Sequence, residues 1–196
     1  MKWYQLIECN DTVKNPLVCD SDNLEINGFN EYDFLAGKIV DNWSENIFFQ
    51  ATEKEDDGDP DDALQNHLML PIFSERLIGA LRKENIEGIQ YLPVKILRPN
   101  GEELKGFAIA NLINFIDAFD YEKSNYDVIP SDFPNPNARG EIAGVRKFSL
   151  LKEKLHGFDV IRLKNYELRF FVSETIKNIF KKNKFTGYSF KEVELT

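Results

Sequence analysis

Two stretches of the chain share nearly the same order of apolar and polar positions. The first covers residues 71–96 and the second covers 170–195, and an ungapped alignment keeps them 99 residues apart throughout. In each stretch an apolar pair precedes Ser-Glu, apolar residues then recur at intervals of three and four, and a glycine and an aromatic residue come before a closing valine. This pattern predicts a strand, a short amphipathic helix, a glycine turn and a second strand.

A serine stands at the predicted start of each helix. The side chain of Ser74 or Ser173 can accept a hydrogen bond from a free N–H group of the first turn, which contributes about 1 kcal/mol. Glu75 and Glu174 then place negative charge at the positive end of the helix dipole. A nucleophilic serine would need a base such as histidine, and neither repeat contains one. We therefore predict that both serines are helix caps.

The repeat predicts an α+β fold with two similar lobes, each a short Ser-capped helix packed on mainly antiparallel strands. Helices of roughly ten residues are not stable alone in water, so their apolar stripes must be buried on sheet. A length of 196 residues suits a single domain, 1–196, that contains the internal repeat. The 16 phenylalanines and the 42% of hydrophobic residues are sufficient for a packed core.

The remaining segments are predicted less sharply. Residues 3–9 and 46–52 are rich in aromatic and branched side chains, which favours strands. Residues 104–119 are predicted to form a strand that leads into a short helix or turn. Residues 121–147 contain three prolines and form the longest predicted loop, which is either irregular surface or a partner-binding loop. Residues 148–165 return to strand-compatible patterns.

An acidic run at residues 53–63 has seven carboxylates in eleven positions, together with a glycine and a proline, and this composition predicts a solvated loop. Asp57, Asp59 and Asp61 match the first three ligand positions of an EF-hand. The next required residue, glycine, is replaced by Asp62, and the closing glutamate is replaced by Leu68, so no calcium site is predicted. The acidic side chains are instead a candidate surface for contact with a partner: Glu53, Glu55, Asp56, Asp57, Asp59, Asp61 and Asp62.

Charge and cysteine content narrow the function classes. A formal net charge of -9 disfavours nucleic-acid binding and favours basic partners. The sequence contains no apolar run long enough to span a membrane and no signal-peptide pattern at its start, so we expect a cytoplasmic protein. Cys9 and Cys19 are too few for a disulfide scaffold and are expected to be reduced thiols.

The motifs of common enzyme classes are missing from the sequence, which has no phosphate-binding glycine loop, no His-x-x-x-His and no Cys-x-x-Cys. Zinc ligands drawn from Cys9, Cys19, His67 and His156 would lack paired spacing. We therefore predict no catalytic residue, no cofactor and no metal. Two alternatives stay open: a hydrolase-like enzyme of unrecognised type with a carboxylate-based site, and a module that self-associates through exposed strand edges.

Four segments together resemble a known family. They are "WYQL" near the N-terminus, "FSERLIGALRKENIEGIQYLPVKI", "ANLINFIDAFDYEKS", and the ending "FDVIRLKNYELRFFVSETIKNIFKKNKFTGYSFKEVEL". The chain is similar to the immunity-protein-eleven family of bacterial polymorphic toxin systems over nearly its whole length, most clearly in its last third. It departs from the family in the acidic insert from Glu53 to Ala63 and in the loop from Pro130 to Gly140.

The resemblance implies a cytoplasmic binding protein that neutralises a cognate toxin domain by occluding it. It brings no catalytic residue and no cofactor with it. An acidic surface would suit a basic toxin and would speed association by electrostatic steering.

Overall fold

The computed structural model describes residues 1–9, 16–52 and 59–196, in which there are fourteen strands and three α-helices. The first half of the chain contains β1 (Trp3–Glu8), β2 (Val18–Asp22), α1 (Glu31–Leu35), β3 (Phe48–Thr52), β4 (Ala63–Asn66), β5 (Ile72–Ser74), α2 (Glu75–Lys83) and β6 (Ile89–Leu97). The second half contains β7 (Glu103–Leu112), β8 (Phe115–Ile116), β9 (Asn125–Val128), β10 (Ile142–Lys147), β11 (Ser149–Leu150), β12 (Val160–Leu163), β13 (Tyr166–Ser173), α3 (Glu174–Asn183) and β14 (Tyr188–Leu195). The predicted α+β class is confirmed.

The strands form a closed barrel and an open sheet. Among the described residues, the barrel has six strands in the order β2-β3-β6-β7-β5-β4, and the sheet has six in the order β11-β14-β1-β13-β12-β8. Most neighbours are antiparallel, and parallel pairing joins β3 to β6 and β2 to β4 in the barrel and β14 to β11 and β12 to β8 in the sheet. Strands β9 and β10 pair separately as a hairpin.

The two repeats have the same order of elements at the offset read from the sequence. The strand-helix-strand unit β5-α2-β6 corresponds to β13-α3-β14, and the turns before β6 and β14 contain Gly88 and Gly187. Both glycines have positive φ angles, 84° and 97°, which a residue with a side chain adopts only with strain.

The correspondence extends upstream of the segments that the sequence pattern identified. Strand β4 pairs antiparallel with β5 and parallel with β2, and β12 pairs in the same two ways with β13 and β8. The registers agree, since Leu64 lies opposite Ile72 and Ile161 lies opposite Phe171. This part was not recognised in the sequence because few of its side chains match and the connection between its two strands differs in length.

The first strand of each half is built into the sheet of the other half. Strand β7 opens the second half but lies between β5 and β6 in the barrel, whereas β1 opens the first half but lies between β13 and β14. The registers of these inserted strands also correspond: Phe107 is opposite Ser74 and Val94, and Trp3 is opposite Ser173 and Val193. The two halves therefore exchange one strand each.

Three hydrophobic clusters form the core of the described part of the chain. The central cluster lies where both helices meet the strands and contains Leu77 and Leu81 of α2 together with Ile176 and Phe180 of α3. The second cluster occupies the barrel and includes α1 through Phe34. The third covers the other face of the open sheet. Because the central cluster draws side chains from both halves, neither half can bury its own helix completely.

Several segments differ from the prediction. Residues 104–119 form β7 and β8 without a helix, because β7 is paired on both sides. The predicted loop at 121–147 contains the β9–β10 hairpin, and residues 148–165 include a 3-10 helix at 152–155 besides the strands β11 and β12. The described residues contain no helix with the length and apolar character that a membrane crossing requires.

The strand exchange predicts how the protein behaves when it is cut. A break in the exposed turn between β6 and β7, after Pro99, gives fragments 1–99 and 100–196 that each lack one central strand. We expect each fragment alone to be unfolded or aggregated and the two together to form a 1:1 complex with native circular dichroism. Independent folding of either fragment would contradict this account.

Candidate functional site

Both repeated serines lie at helix starts and are fully engaged in local hydrogen bonds. The Oγ atom of Ser74 accepts from the N–H of Leu77 at 3.2 Å, and that of Ser173 accepts from the N–H of Thr175 at 3.2 Å. Each hydroxyl also donates to an aspartate, Ser74 to Asp62 and Ser173 to Asp159. Each serine thus joins the start of its helix to the segment that precedes β4 or β12.

Asp62 connects the two halves of the molecule. Its Oδ1 accepts hydrogen bonds from the Ser74 hydroxyl at 2.8 Å and from Nε of Arg76 at 3.1 Å. Its Oδ2 accepts from Nη2 of Arg76 at 2.5 Å and from the backbone N–H of Thr186, in the turn before β14, at 3.1 Å. A side chain on the next residue, Gly187, would overlap the carbonyl oxygen of Ala63. Asp62 and Ala63 are therefore packed tightly against the turn of the other repeat.

The acidic residues separate into two groups. Asp59 is exposed, whereas Asp61 and Asp62 are 1% and 7% exposed, so the predicted solvated loop ends before Asp61. Asp62 is buried because its carboxylate binds groups at the start of α2 and because the chain enters β4 directly after it. Four of the proposed contact residues lie outside the described part of the chain: Glu53, Glu55, Asp56 and Asp57.

Histidine, cysteine and carboxylate side chains are the groups that a catalytic or metal site would use. In the described residues no set of three or more His, Cys, Asp and Glu side chains is placed to hold a metal ion. The Nε2 atom of His67 lies 3.0 Å from Oδ2 of Asp22. Burial raises the pKa of the Cys19 thiol to about 12, so this thiol stays protonated at neutral pH.

An open groove of about 430 Å³ lies beside α2 on the outer face of β6 and β7, and we call it the α2 groove. Its floor and one wall are formed by Ile78 and Arg82 of α2, Tyr91 and Pro93 of β6, and Gly106 and Ala108 of β7. The guanidinium of Arg82 lies 5.0 Å from the centre of the Tyr91 ring. Burial raises the pKa of the Tyr91 hydroxyl to about 12. Charged side chains of both signs surround the groove: Glu45, Glu75, Arg82, Lys95, Glu103 and Lys105.

A second candidate surface surrounds Leu168, which is 55% exposed and lines two adjacent shallow grooves. Tyr121 and Val128 contribute exposed apolar side chains on one side, and Ile7 and Met69 contribute them on the other. Sequence reasoning missed this surface because its residues come from distant segments that only the fold brings together. Clusters of exposed apolar side chains of this kind are typical of interaction sites.

Comparison with known protein families assigns the chain to a family. It matches the Immunity protein family (Imm11) over residues 6–195. The chain belongs to this family. The resemblance read from the sequence is thereby confirmed, and the matched range covers nearly the whole length of this immunity-family protein. No curated protein matches the chain.

The position of Asp62 predicts a large loss of stability on substitution. Asp62→Ala removes a carboxylate that accepts hydrogen bonds from Ser74, Arg76 and Thr186 and leaves partly buried donors without this partner, so we expect the free energy of unfolding to fall by about 2–3 kcal/mol. Urea denaturation measures this change. Asp59→Ala, an exposed aspartate three residues away, is the matched control and should change the free energy by less than about 0.5 kcal/mol. Equal effects of the two substitutions would contradict the role assigned to Asp62.

Proposed function

We propose that this protein binds a cognate toxin of a polymorphic toxin system in the cytoplasm and neutralises it by occlusion, without catalysis. The observation that carries the proposal is the family match over residues 6–195, which includes nearly all of both halves. An immunity protein of this kind acts by covering the toxin, so its requirements are a rigid scaffold and a complementary surface.

The fold supports the first requirement. Each half holds a strand of the other, and the Asp62 carboxylate joins α2 to the turn before β14. These connections fix the relative positions of the barrel and the sheet before any partner arrives. Because a preordered surface loses little conformational freedom on binding, more of the contact energy is available as affinity.

Charge supports a basic partner. The protein has a formal net charge of -9, and Asp59 marks an exposed end of the acidic segment. An acidic surface attracts a basic toxin over distances comparable to the Debye length and raises the association rate. This steering acts on the rate of encounter more than on the lifetime of the complex.

The engagement of the serines supports a role without catalysis. Ser74 and Ser173 are the residues that the sequence pattern singles out most strongly, and both hydroxyls donate to aspartates while they cap helices. The buried Asp62 carboxylate likewise accepts hydrogen bonds from Ser74, Arg76 and Thr186. No observation favours the carboxylate-based enzyme that the composition alone left open.

Co-expression with the toxin encoded beside this gene tests the proposed function. We expect the protein to restore growth of cells that make the toxin and to co-purify with the toxin domain as a 1:1 complex, measured by light scattering after gel filtration. The control is an unrelated acidic protein of similar size. Growth rescue without a complex would contradict occlusion. Inactivation of the toxin through a covalent change made by this protein would contradict it as well.

Charge reversal tests the steering role of the acidic segment. Lysine at five positions should slow association with the toxin by about tenfold at low salt and leave the dissociation rate unchanged. The five positions are Glu53, Glu55, Asp56, Asp57 and Asp59. A control variant carries the same number of reversals dispersed over the surface, at Glu25, Glu84, Glu87, Glu122 and Glu153, and should slow association less. Stopped-flow measurements at two salt concentrations distinguish the two variants, and equal rates would show that the segment does not steer.

A further inference from the structure

The two halves differ in how the space beside the helix is filled. In the second half, Tyr4 of β1 lies against α3 and is only 3% exposed. Its ring centre is 6.2 Å from that of Phe190, and Nζ of Lys177 lies 3.9 Å above the ring. Lys2 and Glu192 form an ion pair at 2.9 Å next to this ring. The strip of surface beside α3, between β1 and β14, is therefore filled by side chains of the protein itself.

Smaller side chains occupy the corresponding places in the first half. The strand registers put Ala108 where the second half has Tyr4, because Ala108 lies opposite Phe73 and Pro93 whereas Tyr4 lies opposite Val172 and Glu192. By the same registers Pro93 stands in place of Glu192. Gly106 precedes Ala108 by two residues, as Lys2 precedes Tyr4. The backbone arrangement is shared, and the missing side chains leave the α2 groove of about 430 Å³.

The environment of the groove suits an aromatic ring. Tyr91 forms one wall in the position of Phe190, the residue that contacts the Tyr4 ring in the other half. Arg82, Lys95 and Lys105 surround the opening, and cations are attracted to the negative faces of aromatic rings. The contact between Lys177 and Tyr4 shows the same attraction in the filled half. The carboxylates on the same rim complement basic residues that flank such a ring in a basic partner.

We propose that the α2 groove binds an aromatic side chain of the toxin, in the place that Tyr4 occupies in the second half. This inference rests on the proposed function. An aromatic anchor buried in a preformed groove is the kind of contact that carries most of the binding energy of an interface. We favour the α2 groove over the surface around Leu168 because the corresponding space in the second half of the molecule already holds an aromatic ring, that of Tyr4.

Filling the groove from within tests the proposal. Ala108→Tyr reproduces the residue of the other half, so we expect a folded protein whose melting temperature is not lowered. Its dissociation constant for the purified toxin domain should rise about 30-fold or more, the effect of losing one dominant anchor. Isothermal titration calorimetry measures the constant. Lys181→Tyr is the matched control. Lys181 corresponds to Arg82 in the aligned repeats, so this substitution adds a tyrosine beside α3, where the space is already filled.

A second variant and a second measurement keep the test independent of core packing. Pro93→Glu introduces the counterpart of Glu192 at an exposed position of the groove and should also weaken toxin binding at least tenfold. In a Cys9→Ser background, the thiol of Pro93→Cys should react with a maleimide at least ten times more slowly in the toxin complex than in the free protein.

Each outcome supports or overturns the proposal. Wild-type affinity of Pro93→Glu, or unchanged labelling of Pro93→Cys in the complex, overturns it while leaving toxin binding itself intact. Failure of the wild-type protein to bind the toxin overturns the proposed function and this inference with it. A wild-type dimer that Ala108→Tyr converts to a monomer would show that a second copy of the chain covers the groove, and would overturn the toxin as its occupant.

Discussion

The backbone hydrogen bonds of β1 and β7 with strands of the opposite half are the constraint on which the rest of the structure depends. Without β1, strands β13 and β14 have no common neighbour, and without β7 the barrel is open between β5 and β6. The helices α2 and α3 add to this dependence because their apolar faces share the central cluster. Asp62 then fixes the junction by binding groups from both repeats. Stability and shape are therefore properties of the whole chain, as suits a protein whose function is proposed to lie in a rigid surface.

The same strand registers support two different surfaces. In the second half the exchanged strand brings Tyr4 and Lys2, which close the strip beside α3. In the first half the exchanged strand brings Ala108 and Gly106, and the strip stays open. The backbone hydrogen bonds that determine the fold do not depend on these side chains, so one half can keep a covered surface while the other presents a groove. The two repeats can therefore share one backbone arrangement and still present different surfaces.

The parts of the fold that the sequence predicted are those with a local physical cause. Ser74 and Ser173 cap helices through contacts two or three residues away, and Gly88 and Gly187 take positive φ angles within their own turns, so the pattern is visible along the chain. The insertion of β1 depends on pairing between residues more than 160 positions apart, which no local pattern records. Asp62 was misjudged because a run of carboxylates is normally solvated. Asp159, which accepts from the Ser173 hydroxyl directly before β12, is the counterpart of Asp62 in the second repeat.

The strand exchange also sets the order in which the molecule can be completed during synthesis. Among the described strands β1 is made before all others, yet both of its neighbours, β13 and β14, are made after the rest. The barrel needs only strands from β2 to β7 and can close while translation continues. The nascent chain therefore carries an unpaired aromatic strand, with Trp3 and Tyr4, until β13 and β14 emerge. Chaperone capture of this segment, or its early pairing with another chain, competes with correct folding at that stage.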